Sequence, residues 1–283
     1  MWRSRKVLAT AATAAVLGGT TYAYGDQLKV RTAYLLSQEP TIIDQSQVLF
    51  PRQQWDSNWD QRDPMSMVNK EKYLAADPEK RKEMLEEHKP KATRNIFLIR
   101  HGQYHLDSEK RNLTPLGQEQ AQLLGERLAK TNIKYDVCVM STMNRATETA
   151  LLMLEKMDPT IPKESDSLLE EGAPYPPEPP LSSWKPSQKK FYTEGARIEA
   201  AFRKYIHRAS PRQKHDSYEL IVCHANVIRY FVCRALQFPR EGWLRLSLGN
   251  SSITWMVLRP NGAVSIRGLG DFGHLPHDKV SFT

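Results

Sequence analysis

Three cysteines in 283 residues is a small number, and Cys138, Cys223 and Cys233 show no CxxC spacing. Two of them sit inside apolar runs, VCVM and LIVC, and read as buried core thiols. Neither a disulfide framework nor a zinc site is supported. The chain also lacks any Asp/His/Glu spacing that suggests a metal, and no cofactor is expected. Forty Lys and Arg against 32 Asp and Glu give a net charge of +8, but there is no long basic run with interleaved aromatics. Nucleic acid is therefore not an expected partner, although the excess favours acidic or phosphorylated ligands. Strongly apolar runs of membrane-spanning length are missing as well.

The nearest approach to such a run is at the start. A basic Arg3, Arg5 and Lys6 precede 19 uncharged residues, Val7 to Gly25, made mostly of Ala, Thr and Gly. That length just spans a bilayer. A secretory signal, a mitochondrial presequence and a membrane anchor compete here; no small-residue cleavage site precedes Asp26, and the cysteine pattern argues against secretion. Residues 1–25 are expected to be a mitochondrially targeted anchor. Residues 26–92 turn polar and read as a juxtamembrane linker. Within it stands a doubled Trp-Asp unit, Trp55, Asp56, Ser57, Asn58, Trp59 and Asp60. Its indoles either fold back onto the domain or anchor in a partner's pockets. The charge-dense stretch from Lys70 to Lys91 reads as an exposed helix or spacer.

A compact domain is expected over 93–283. Ile96 to Ile99 forms a short apolar strand that runs into Arg100, His101 and Gly102, with Gly102 freeing the backbone to turn. Thr114 and Pro115 cap a helix to about Lys130. Val137 to Met140 is a second strand, leading through Ser141 into a helix that carries Arg145. Glu170 to Pro186 holds six prolines and reads as a long surface loop. A helix is expected over 195–208, a third strand over Leu220 to Cys223 ending at His224, and a helix over 227–237. Ser252 to Leu258 and Ala263 to Ile266 flank Pro260, Asn261 and Gly262, a hairpin signal. This alternation predicts an α/β fold of three layers, with a mostly parallel sheet covered by helices on both faces.

Parallel strands would bring Arg100, His101, Arg145 and His224 to one carboxyl edge, where open α/β sheets bind ligands. Two arginines and two histidines suit a dianion, because guanidinium forks bind phosphoryl oxygens bidentately. A neutral imidazole is also a competent nucleophile. Glu171, at the head of the proline-rich loop, offers a carboxylic acid to protonate a poor alkoxide leaving group.

Arg100-His101-Gly102, Leu113-Thr114-Pro115-Leu116-Gly117, Ser141 to Ala150 and Val222 to Arg229 resemble, in order, the motifs of the histidine phosphatase (phosphoglycerate mutase-like) superfamily. Trp55 to Asp60, Leu169 to Pro174, Trp184-Lys185-Pro186, Gly195 to Phe202 and Val232 to Pro239 are similar to its mitochondrial, membrane-anchored serine/threonine-protein phosphatase branch. The resemblance implies His101 as phospho-acceptor, Arg100, Arg145 and His224 as phosphate ligands, and Glu171 as proton donor. It implies phosphorylated protein substrates, stress-signalling kinases among them. It also implies a single-pass anchor in a mitochondrial membrane, the outer favoured over the inner, open to cleavage by an intramembrane protease, and dimers joined into activating rings by Trp55, Asp56, Asn58, Trp59 and Asp60. Lys70 to Lys91 departs from vertebrate members in lacking their acidic adaptor-binding motif. Two other functions stay in view: turnover of a small phosphorylated metabolite, by a phosphatase or a phosphoglycerate mutase, and a membrane-tethered scaffold that binds phosphoproteins.

Overall fold

The computed structural model describes residues 54–282. The anchor expected over residues 1–25 lies outside them, and among the described residues no helix is long and apolar enough to cross a membrane.

Six strands form one sheet in the order β3-β2-β4-β1-β5-β6. They are β1 (Arg94–Arg100), β2 (Val137–Ser141), β3 (Lys163–Asp166), β4 (Ser217–Cys223), β5 (Ile253–Leu258) and β6 (Val264–Asp271). Pairing is parallel from β3 through β2 and β4 to β1, and antiparallel at β5 and β6. The mostly parallel, three-layer arrangement follows from the strand sequences. In β1, Ile96 and Leu98 face one core and Phe97 and Ile99 the other, so both faces of the strand are apolar and must be covered. Helices α4 (Pro115–Ala129) and α5 (Asn144–Leu154) cover the second face with Leu124, Leu128, Ala146, Ala150 and Met153. Helices α6 (Gln188–Tyr205) and α7 (Ala225–Ala235) cover the first with Ile198, Phe202, Val227 and Phe231.

The differences from expectation have local causes. Helix α6 begins at Gln188, seven positions before the expected 195, because Ser187 accepts a cap from the Lys190 amide; its polar first turns carry no apolar period. Helix α7 runs from Ala225 to Ala235, two positions earlier than expected at each end. Strand β3 was not foreseen: Lys-Glu-Ser-Asp is an exposed edge, held by its backbone pairing to β2.

One compact unit runs from Trp55 to the C terminus, so the docked chain begins at Trp55 rather than near residue 93. The reason is Trp59 and Asp60. The Trp59 indole is buried in the first core, tilted 5.9 Å from Phe202, and its Nε1 donates to the Gly262 carbonyl at 2.8 Å. Asp60 and Arg208 form an ion pair at 2.6 Å with side chains 1% and 2% exposed. Between this unit and β1, α1 (Pro64–Met67), α2 (Lys70–Ala75) and α3 (Pro78–Glu87) bury no residue. The stretch 70–91 is thus largely exposed helix.

Burial works to raise the Asp60 carboxyl, but the hydrogen bonds and charge of Arg208 outweigh it and hold the group below its ordinary value. The ion pair is then fully formed at neutral pH and loses its contribution as pH falls through the depressed folded pKa. Asp60→Ala should cost about 3–5 kcal/mol, because it leaves a buried guanidinium without its carboxylate. Urea denaturation at pH 7 checks this, and the gap from wild type should narrow in acid.

Candidate active site

The register of β1 on β4 decides where the polar residues fall. Arg100 pairs with Cys223, so the next residues, His101 and His224, leave the sheet level with one another. The His101 amide extends the ladder by donating to the Cys223 carbonyl at 3.1 Å. Met140 on β2 pairs with Val222, which places Ser141 at the same edge. Arg145 follows in the first turn of α5. The sheet therefore brings Arg100, His101, Arg145 and His224 together, all buried.

Gly102 is needed for space rather than for an unusual φ. A Cβ there would stand 2.6 Å from the Gly117 carbonyl oxygen, and one on Gly117 would stand 1.9 Å from that of Gln103. The turn after His101 is thus pressed against the first turn of α4. The Thr149 hydroxyl accepts from the Gly102 amide at 2.9 Å and donates to the Arg145 carbonyl at 2.6 Å, tying the turn to α5. From the other side Asn250 Nδ2 and the Ser251 amide donate to the His101 carbonyl, each at 3.2 Å.

The hydrogen bonds fix the histidine chemistry. His101 Nδ1 lies 2.8 Å from the Gly102 carbonyl, which can only accept, so Nδ1 carries the proton and Nε2 the lone pair. Arg145 Nε donates to that Nε2 at 3.2 Å. The two imidazoles lie 5.1 Å apart at 57°. His224 Nε2 lies 2.8 Å from the Ser141 hydroxyl, whereas its buried Nδ1 has no hydrogen-bond partner. Such an orphan marks a place for a ligand.

Charge is concentrated here. Burial, then Arg100 and Arg145, hold His101 well below the usual imidazole range; burial, then His101 and Arg145, do the same to His224. Both rings are neutral at pH 7. Burial and Arg229 draw Arg100 down to about 10, and burial lowers Arg145 and Arg229. With Arg145 and Arg229 both acting on Arg100, three desolvated guanidiniums leave a strong positive field for an anion. Arg100 Nη1 is anchored on the Leu248 carbonyl at 2.6 Å, and the Arg145 guanidinium lies 4.7 Å from the Tyr104 ring centre.

The proline-rich loop brings Glu171 to the same place. It is partly buried; Gly172 donates to its Oε1 at 3.0 Å and Asn226 to its Oε2 at 3.4 Å. Burial raises its carboxyl above the ordinary value despite those bonds and the nearby Arg145 and Arg100. Among the described residues no group of three His, Cys, Asp or Glu side chains could hold a metal ion.

Of the Trp-Asp unit, Trp59 and Asp60 serve the domain's own packing, while Trp55 and Asp56 lie on the surface, Asp56 exchanging backbone hydrogen bonds with the Gln237 amide. Sequence reasoning did not single out Tyr104, Thr149, Arg229 or Asn250 as neighbours of the site. Asn250 comes from a loop without apolar period, so only the fold reveals it.

A pair of neutral buried histidines, one presenting its Nε2 lone pair beside Arg145 and one with an unsatisfied nitrogen, ringed by arginines and faced by a carboxyl, defines a phosphoryl-transfer class of site. The sequence model of the histidine phosphatase superfamily (branch 1) matches residues 96–174 and 176–269, and the chain belongs to this superfamily. Similar relatives include the Caenorhabditis briggsae protein named "Serine/threonine-protein phosphatase Pgam5, mitochondrial", 61% identical over 89% of this chain and 88% of that one. The Homo sapiens protein of the same name is 55% identical over 80% of each chain. Among solved structures, Bacillus stearothermophilus YhfR shares the fold, with a TM-score of 0.50 and 19% identity over 64% of this chain and 98% of its own.

The pocket should bind inorganic phosphate without any turnover. Replacing Arg100 or Arg145 by Ala should weaken that binding by about 1.5–3 kcal/mol, roughly ten- to hundredfold, since each removes charge-assisted hydrogen bonds. Isothermal titration calorimetry with phosphate reads it directly.

Proposed function

We propose that this protein hydrolyses phosphoserine and phosphothreonine on proteins through a phosphohistidine intermediate on His101. The observation that carries the reading is the tautomer of His101: its Nδ1 is held by the Gly102 carbonyl, leaving a neutral Nε2 lone pair beside Arg145. The names of the similar proteins from Caenorhabditis briggsae and Homo sapiens support serine/threonine phosphoproteins as the substrate class.

The phosphate dianion would be held by Arg100, Arg145 and His224. With Ser141 donating to His224 Nε2, the unpartnered Nδ1 carries a proton and offers it to a phosphoryl oxygen. His101 Nε2 attacks phosphorus, the P–O bond to the serine or threonine oxygen breaks, and Glu171 passes its proton to the departing alkoxide. Glu171, now a carboxylate, takes a proton from water as that water attacks phosphorus and breaks the P–N bond. Inorganic phosphate leaves, and both side chains return to their starting states. The arginines neutralise charge on the transferring group, and the acid removes the cost of an alkoxide leaving group.

The proposal extends to the setting. The relatives' names support a mitochondrial location. Residues 1–25 would hold the protein in the outer mitochondrial membrane, and the surface face of the Trp-Asp unit, with Trp55 at its centre, would join copies into a larger assembly.

His101→Ala should abolish phosphate release from a phosphoserine peptide panel; retained activity would overturn the mechanism. Turnover of phosphoglycerates with no release from phosphopeptides would favour a metabolite enzyme instead. The active form pairs neutral His101 with protonated Glu171, so kcat/KM should fall in acid as His101 protonates and at higher pH as Glu171 ionises. Glu171→Gln should remove the alkaline limb and lower kcat about 10²–10⁴-fold on phosphoserine peptides. Because Trp59 serves the core, assembly is tested by Trp55→Ala alone: particle mass in light scattering should drop, and an unchanged mass would refute the assembly.

A further inference from the structure

Helix α6 runs beside the segment that carries Glu171, and its middle turn grips that segment's backbone. Arg197 Nη1 donates to the Leu168 carbonyl at 2.8 Å and the Glu170 carbonyl at 2.7 Å, and Nη2 donates to the Glu171 carbonyl at 3.0 Å. One turn earlier, Glu194 Oε2 accepts from the Ala173 amide at 2.7 Å. Between them Gly195 lets helix and loop touch, since a Cβ there would stand 2.6 Å from the Pro174 carbonyl oxygen. From the opposite side, Asn226 Nδ2 donates to the Gly172 carbonyl at 3.0 Å.

The physical need is plain. Residues 170–174 have no regular structure, so their backbone groups have no ladder to satisfy them. One planar guanidinium fixes the carbonyls of Leu168, Glu170 and Glu171 at once, which an ammonium cannot do with the same geometry. A proton donor must sit within hydrogen-bond reach of the leaving oxygen, and an error of about 1 Å can cost roughly 10²-fold.

We propose that Arg197 and Glu194 are positioning residues that hold Glu171 in place to protonate the leaving group, an inference that rests on Glu171 being the donor proposed above. Neither side chain touches substrate in this account. Arg197 also adds to the positive charge around His224, an effect common to every substrate; the part that reaches the chemistry through the loop backbone depends on how badly the leaving group needs a proton. A serine alkoxide needs one, whereas p-nitrophenolate leaves readily without it.

The test compares Arg197→Ala, Arg197→Lys, Glu194→Ala and Glu171→Gln in the full-length chain, on a phosphoserine peptide and on p-nitrophenyl phosphate. Arg197→Ala should lower kcat on the peptide about ten- to hundredfold, with KM within about twofold, and change p-nitrophenyl phosphate turnover less than about threefold. Arg197→Lys should fall between wild type and Arg197→Ala. Glu194→Ala should show the same leaving-group dependence at smaller amplitude, and it carries the test if Arg197→Ala lowers the melting temperature enough to prevent assay. Equal losses on both substrates in Arg197→Ala and Glu194→Ala, with Glu171→Gln still discriminating, would overturn the positioning role. Loss of discrimination in Glu171→Gln itself would overturn the donor assignment beneath it.

Discussion

The parallel pairing of β1 with β4 is the constraint on which the site depends. Arg100 opposite Cys223 leaves His101 and His224 level at one edge, with imidazole centroids 5.1 Å apart. A shift of one residue in that register would turn every side chain of β1 to the other face and move the two histidines apart. The register is held by buried apolar side chains on both faces of both strands, from Ile96 to Ile99 and from Leu220 to Val222. Packing of the core and placement of the chemistry are the same structural fact. The strand ends need no loop of their own to find each other.

What the core places, electrostatics prepares. Burying guanidiniums is unfavourable unless they are compensated, and here Arg145 and Arg229 both act on Arg100. Burial, with Arg100 and Arg145 beside it, keeps both imidazoles neutral, which preserves the lone pair on His101 Nε2, and the same positive field suits a dianion. Glu171 experiences two opposed influences, burial raising its carboxyl and the arginines lowering it, and burial prevails. A bound phosphoryl group would offset the arginine charge and favour the protonated acid further. The free enzyme is thus arranged for a charge it does not itself contain.

Much of this was legible in the sequence because it depends on short-range patterns. Apolar runs of four residues that end at Arg-His, Ser and His announce buried parallel strands and their polar tips. Thr114-Pro115 marked the start of α4, and the cap on Gly117 is where that pattern puts it. What escaped was long-range or unpatterned. Strand β3 has no apolar residue and exists only because β2 offers it an edge. The docking of residues 55–60 turned on Arg208 and Gly262, some 150 and 200 positions away, which no local signal announces. The grip of Arg197 on the Glu171 segment was equally hidden, since an arginine on a helix reads as a surface cation until the loop it holds is in place. Gly102 was readable as a glycine but not for the right reason: it makes room for Gly117 rather than turning the chain through an unusual φ.

In the proposed reaction phosphorus passes through a covalent bond to one imidazole nitrogen, Nε2 of His101. The most direct measurement is alkaline quenching of the enzyme during steady turnover of a phosphoserine peptide, followed by mass spectrometry of its own peptides. An alkali-stable, acid-labile phosphoryl group on His101, lost to water once the phosphopeptide is diluted out, is the predicted result. Steady release of phosphate with the group on another residue, or with no covalent phosphoenzyme at any quench time, would contradict it.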